Sequence, residues 1–176
     1  MKQLTQQLKS GHITIQELPW PIVGSGMVLV RNHYSLISAG TEGSTAKTAR
    51  KSLIGKAKER PQQAKQVLDT LKKQGPSQTY RAVMKKLDAY SPLGYSSAGQ
   101  VIEVGSAIQD ISIGDKVACG GAGHANHAEI VCVPRNLCVK LQEDVDLKKA
   151  SYNTIGAIAL QGIRQADLRL GENCAV

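Results

Sequence analysis

The sequence predicts a mainly β domain, a small barrel or sandwich, interrupted by a two- or three-helix insertion and followed by a C-terminal helix. Three observations predict it. Short, β-branched, period-two runs separated by Gly, Pro and Asp turns fill residues 1–42 and 91–141. Between them, residues 43–90 keep apolar side chains at helical spacing and hold all of the excess positive charge. After Leu141 the spacing becomes helical again.

The opening "MKQLTQQLKSGHITIQELPWP" mixes polar and apolar residues from the start, as a native first strand does and a targeting segment does not. "HITIQEL" and "MVLVRNHYSLI" follow as strands. In the insertion, Ala64, Val67, Leu68 and Leu71 fall at i, i+3, i+4 and i+7, and Tyr80, Val83, Met84 and Leu87 repeat the pattern. Pro61 suits a first helical turn, and Gly75-Pro76 reads as a stop followed by a new start. A weaker helix precedes them, with Ala46, Ala49 and Leu53 on one face. "GQVIEVG", "DKVACG", "AEIVCVP" and "LCVKL" return to strand, with Gly114-Asp115 as a tight turn. In "DLKKASYNTIGAIALQGIRQADL", Ala150, Ile155, Ile158, Ala159, Gly162 and Ile163 form a small apolar face. The closing "ENCAV" reads as the beginning of another strand. Since a nascent strand needs a sheet to pair with, the expectation is a fragment of a longer chain, cut as a second domain begins.

Composition narrows the function classes. A chain of 176 residues with 41% hydrophobic content buries one good core, perhaps with an appendage. The net charge of +8 is concentrated: residues 43–90 carry twelve Lys or Arg against Glu59, Asp69 and Asp88, leaving the rest at −1. A basic helical segment is read either as a solvated face or as a docking surface for an acidic partner or polyanion. With no Phe, one Trp and five Tyr, a stacking platform for single-stranded nucleic acid is not expected. Cys119, Cys132, Cys138 and Cys174 form no C-x-x-C pair. Without a signal peptide or an 18-residue apolar run, they read as reduced thiols in a cytoplasmic protein with no membrane partner.

Four segments in order carry a resemblance: "VLVRNHYSLISAGTE", "PLGYSSAGQVIEVG", "IGDKVACGGAGHANHAEIVCVP" and "ASYNTIGAIALQGIRQADLRLGENCAV". The chain resembles the medium-chain dehydrogenase/reductase superfamily, the zinc-type alcohol dehydrogenases and quinone oxidoreductases, over roughly 1–42 and 91–176. The resemblance implies a GroES-like β-barrel domain over 1–148, with 43–90 as its helical insertion. Residues 149–176 would then be a linking helix and the first strand of a Rossmann domain that binds NAD or NADP. "SLISAGTE", "KSLIGKAKERP", "KQVLD", "PLGYSSAG" and "NHAEIVCVPRNLCVK" resemble more narrowly the bacterial bi-domain oxidoreductases. Those proteins fuse such a dehydrogenase to a glucose-fructose oxidoreductase-type module and are often linked to surface polysaccharide synthesis.

Carried over by position, the resemblance implies that Ala39, Tyr95 and Thr154 stand where zinc-type members have metal ligands, with Tyr95-Ser96 replacing a His-Glu pair. A Zn²⁺ site needs thiolate, imidazole or carboxylate donors, so no zinc is expected. Cys119, His124 and His127 lie within nine residues of one another. They are weighed as a substitute site against imidazoles that hydrogen-bond locally. Without a metal, a carbonyl is polarised by hydrogen bonds or a proton relay. The resemblance gives Thr41 the relay hydroxyl, Glu42 a carboxylate on the cleft wall, and Tyr95 a phenol beside the vacated metal position. Each has a plain structural alternative: a turn hydroxyl, a solvated carboxylate and a packing residue. Thr154 and Ile158 are the candidate contacts to the cofactor on the cleft side. Gly94, Gly99 and Gly105 have the wrong spacing for a phosphate cradle.

The expected function is therefore that of an N-terminal fragment of a zinc-independent, NAD(P)-dependent oxidoreductase, acting on a polar or sugar-derived alcohol or carbonyl. Its expected partners are the small-molecule substrate, its own Rossmann domain and a second copy of the chain. The basic insertion is expected to close over the active site, form the oligomer contact or dock an acidic partner.

Overall fold

In a computed structural model, the structure describes residues 1–49, 55, 61–167, 169 and 171–173. The described residues form eight strands in two antiparallel sheets, together with a few helices. The chain divides into two compact units.

The first unit comprises residues 19–36 and 94–176, together with Met1. Its sheet runs β7-β3-β5-β6-β8, from β3 (Met27–Ser35), β5 (Ser96–Val104), β6 (Lys116–Gly120), β7 (Ile130–Pro134) and β8 (Cys138–Lys140). Valines meet valines across it: Val28 opposes Val104 and Val133, and Val30 opposes Val101 and Val131. Such β-branched cross-strand pairs are what stabilise a half-buried pleated surface. With Ile111, Val117, Cys119, Ala125 and Cys138 they form the buried core.

The β3–β5 ladder shifts register between Asn32 and Tyr34. Across this bulge a Cβ on Gly99 would overlap the Arg31 carbonyl, so glycine lets the two backbones meet. Gly99 is therefore part of a strand contact and not of a phosphate cradle. Two helices follow the sheet, α4 (Leu147–Ala150) and α5 (Asn153–Gln165). Asp146 caps α4 by accepting the Lys148 amide at 2.8 Å.

The second unit comprises residues 2–18 and 37–93. Its sheet has the order β2-β1-β4, from β1 (Lys2–Gln7), β2 (Ile13–Glu17) and β4 (Tyr90–Pro92). The three-residue β4 has no counterpart among the expected strands. Its helices are α1 (Ala39–Ala49), α2 (Pro61–Gln74) and α3 (Pro76–Asp88). Pro61 opens α2, and Gly75, at φ 79°, separates it from Pro76 at the start of α3.

Helix α3 half-buries the expected stripe at Val83, Met84 and Leu87, but not at Tyr80. Thr79 is buried, with its hydroxyl on the Gly75 carbonyl at 2.8 Å, whereas Tyr80 is 66% exposed. Val67 and Leu71 of α2 are also exposed, and α2 packs on α3. Lys72, Lys73, Lys85 and Lys86 sit in the last turns of the two helices. There a positive charge is favourable against the carbonyl end of the helix dipole, which gives these four lysines a structural reason to be basic. The face proposed for Ala46, Ala49 and Leu53 lies outside the residues whose side chains are described, as do Ala64 and Leu68. No helix of the described residues is long and apolar enough to cross a membrane.

Candidate functional site

In the first unit, Gly94 and Tyr95 lead into β5. Gly94 has φ 96°, and a Cβ there would lie 2.6 Å from the His127 backbone nitrogen, so both conformation and space require glycine. Its position fixes where Tyr95 begins. The Tyr95 carbonyl accepts the Gly121 amide at 2.9 Å and faces the Thr154 hydroxyl at 3.3 Å. The Tyr95 side chain is half-buried.

Ser96, the next residue, is fully buried. Its hydroxyl donates to the Ser151 carbonyl at 2.7 Å and accepts the Thr154 amide at 3.3 Å. Thr154 is in the first turn of α5, where backbone N–H groups have no partner inside the helix. The N-cap residue, Tyr152, makes no side-chain cap. Ser96 therefore supplies the cap from a distant strand.

Asn153 completes the joint. Its Nδ2 lies 3.2 Å from the Ser97 carbonyl, 3.1 Å from that of Cys119 and 3.1 Å from that of Ala150, and its Oδ1 is 3.0 Å from the Thr154 hydroxyl. One amide thus ties the ends of β5 and β6 to the start of α5. The Thr154 hydroxyl has a single proton and faces two internal acceptors, Tyr95 O and Asn153 Oδ1. Beyond this first turn α5 is exposed: Ile158, at 62%, presents its side chain to solvent, as do Leu160 and Ile163.

A second polar cluster lies beside Gly94. His127 Nδ1 is 2.8 Å from Ser35 Oγ, and Asn32 Nδ2 donates to the carbonyls of Asn126 and Ala128 at 3.1 and 2.9 Å. This bears on the substitute metal site. His127 is turned to Ser35, and Cys119 is buried in the core with its sulfur 3.9 Å from Cys138 Sγ. Among the described residues no three His, Cys, Asp or Glu side chains come together as a ligand set. In this unit Tyr95 and Thr154 offer a phenol and a hydroxyl directed at internal acceptors, and Ala39, in the second unit, offers a methyl group; none is a thiolate, imidazole or carboxylate donor.

In the second unit, Ala39 is the first residue of α1, and Thr41 and Glu42 belong to its first turn. Glu42 Oε1 accepts the Ser38 amide at 3.1 Å, and the Thr41 amide donates to Ser38 Oγ at 3.4 Å. This reciprocal arrangement works as a capping box and explains why the helix begins at Ala39, four residues before the basic segment. Glu42 thus has a structural task at this helix start.

The residues missed from the sequence are Ser96 as a buried clamp, Asn153 as the staple, and the Ser35–His127 pair. The available signal was the run "SSAG" in β5, whose small residues are all buried.

No protein-family model and no curated protein matches the chain. Solved structures do. Quinone oxidoreductase from Coxiella burnetii is similar at 24% identity and TM-score 0.65, over 98% of this chain and 47% of that one. Galactitol-1-phosphate dehydrogenase from Escherichia coli is similar at 16% identity and TM-score 0.66, over 95% and 45%. Escherichia coli quinone oxidoreductase, solved with NADPH, is similar at 15% identity and TM-score 0.62, over 94% and 41%. The chain spans less than half the length of each. At these identities the likeness shows the fold alone: the chain has the sheet-dominated, GroES-like fold found in these oxidoreductase and dehydrogenase structures.

Proposed function

We propose that the chain is the substrate-side domain of a zinc-independent, NAD(P)-dependent oxidoreductase acting on a polar, sugar-derived alcohol or carbonyl. The observation that supports the reading is the chemistry of Ala39, Tyr95 and Thr154, the residues that the family resemblance aligns with metal ligands: none of them is a good ligand for zinc. Carbonyl reduction then needs two things from the protein. A bound nicotinamide would supply the hydride, so this chain must give the carbonyl oxygen a hydrogen bond and then a proton. Tyr95 supplies the hydrogen bond, Thr41 relays the proton, and Glu42 lines the wall while holding the start of α1.

The exposed apolar side chains of α5, Ile158, Leu160 and Ile163, support the pairing of residues 149–176 with a nucleotide-binding domain. Thr154 and Ile158 contact the cofactor on the cleft side. A sugar-type substrate agrees with the galactitol-1-phosphate dehydrogenase likeness. A cytoplasmic, homo-oligomeric, bi-domain enzyme of surface polysaccharide synthesis completes the reading.

Two measurements test it. The first is NADPH titration of residues 1–176 alone, followed by nicotinamide fluorescence, and of a longer protein that continues past Val176. The longer form binds and the shorter does not; micromolar binding by 1–176 overturns the domain assignment. The second is the metal content of the active longer protein. Stoichiometric zinc whose removal abolishes turnover overturns zinc independence.

A further inference from the structure

Cys119 and Cys138 face each other directly across the β6–β8 ladder, as register partners, with their sulfurs 3.9 Å apart. Residues directly opposite in antiparallel strands have Cα atoms about 4.5–5.5 Å apart, inside the about 4.4–6.8 Å that a disulfide spans. Closing the bond therefore needs side-chain rotation and little backbone movement. We propose that Cys119 and Cys138 are an oxidative modification site, closing to an intramolecular disulfide under hydrogen peroxide.

The chemistry divides between the two thiols. Cys138 is the more acidic: the hydrogen bond it shares with Cys119 and the nearby Arg135 guanidinium lower it against the opposing effect of burial, while the same hydrogen bond and burial push Cys119 up. The Cys138 thiolate attacks one peroxide oxygen and breaks the O–O bond. The departing hydroxide takes a proton to become water, and Cys138 is left as a sulfenic acid. Cys119 sulfur then attacks the Cys138 sulfur, the S–S bond forms, and the sulfenic oxygen leaves as a second water with the Cys119 proton. Two thiols lose two electrons and two protons, and one peroxide becomes two waters.

Both side chains are buried, so the oxidant must enter by local opening. The fold allows this at one place. Strand β8 is three residues long and, among the described residues, lies at the edge of its sheet beside β6, where fraying costs least. Once formed, the bond fixes that edge. It also fixes the Cys119 carbonyl, which accepts from Asn153 at 3.1 Å beside Tyr95 and Thr154.

The experiment treats the reduced, folded chain with hydrogen peroxide, blocks the remaining thiols in denaturant, and maps peptides by mass spectrometry. The expected product is a Cys119–Cys138 peptide pair lighter by two hydrogens, reversed by dithiothreitol. The thermal midpoint should rise by on the order of 5 °C. Cys138→Ala, checked for folding by circular dichroism, should give neither the linked peptide nor the rise. Recovery of both residues fully blocked while Cys132 is oxidised overturns the proposal. So does equal linkage among all the cysteines.

Discussion

The buried hydroxyl of Ser96 accepts the Thr154 amide at 3.3 Å across 58 residues of sequence. Since it also donates to the Ser151 carbonyl, a single oxygen sets the position of α5 against the sheet. Ser96→Ala leaves a half-buried N–H and a buried carbonyl without this partner, at a cost of about 1–3 kcal/mol. Urea denaturation should show the loss as a lower midpoint with an unchanged slope. A variant as stable as the parent would mean that water replaces the hydroxyl at no cost.

Gly94 and Gly114 have nearly the same positive φ, 96° and 95°, but differ in what surrounds them. A Cβ at Gly114 meets nothing within 4 Å, whereas one at Gly94 meets the His127 backbone and ring. Gly114→Ala should therefore cost only the left-handed conformation, about 1–2 kcal/mol. Gly94→Ala should cost about 3 kcal/mol or more, because the His127 segment must also move. Thermal unfolding of the pair separates the two terms, and equal losses would remove the steric one.

The sheets were legible because their information is local. "MVLVR" and "IVCVP" alternate or run apolar between turn residues, and Pro61 and Gly75-Pro76 mark helix ends with residues that have few other conformations open to them. Strand β4 was not legible, since three residues cannot show a period. In α3 the stripe held at Val83, Met84 and Leu87 and failed only at Tyr80, because the neighbouring Thr79 is buried with its hydroxyl on the Gly75 carbonyl, a bond no hydropathy pattern registers. In the site, Tyr95 and Thr154 were named from the sequence, and the structure brings them together. Ser96 and Asn153, which hold them, were not found. Their partners lie in distant segments, and neither residue type reports such a contact through its neighbours in the chain.

Two surface carboxylates predict an acid-side loss of stability. Arg135 Nε lies 2.9 and 3.0 Å from the oxygens of Asp110, and that hydrogen bonding holds the Asp110 carboxyl below the usual range. Asp115 is held down likewise by Lys140, at 2.7 Å, and then by the Ser112 amide. Both are lowered relative to an unfolded value near 3.9. Their contribution is therefore complete above about pH 4 and fades as pH falls through the lower folded values. Urea midpoints at pH 7, 5 and 3 should fall more for the parent than for Asp110→Asn or Asp115→Asn. Parallel curves would show that neither pair matters. Added salt should shrink the difference, since the Asp110–Arg135 pair is solvent-exposed.

Tyr95 tests the proposed chemistry most directly. The backbone of Tyr95 is fixed from three sides: by Gly94, by the Gly121 amide and by the Thr154 hydroxyl. Tyr95→Phe keeps those contacts and the ring, and removes only the phenolic O–H. If that O–H donates to the substrate carbonyl, the longer, NADPH-binding protein should lose about tenfold or more in kcat, with KM for NADPH unchanged. Ser96→Ala provides the contrast, because loosening α5 should act on stability and cofactor KM before it acts on kcat. Full turnover in Tyr95→Phe would return the residue to packing and move the search for the proton donor to Thr41.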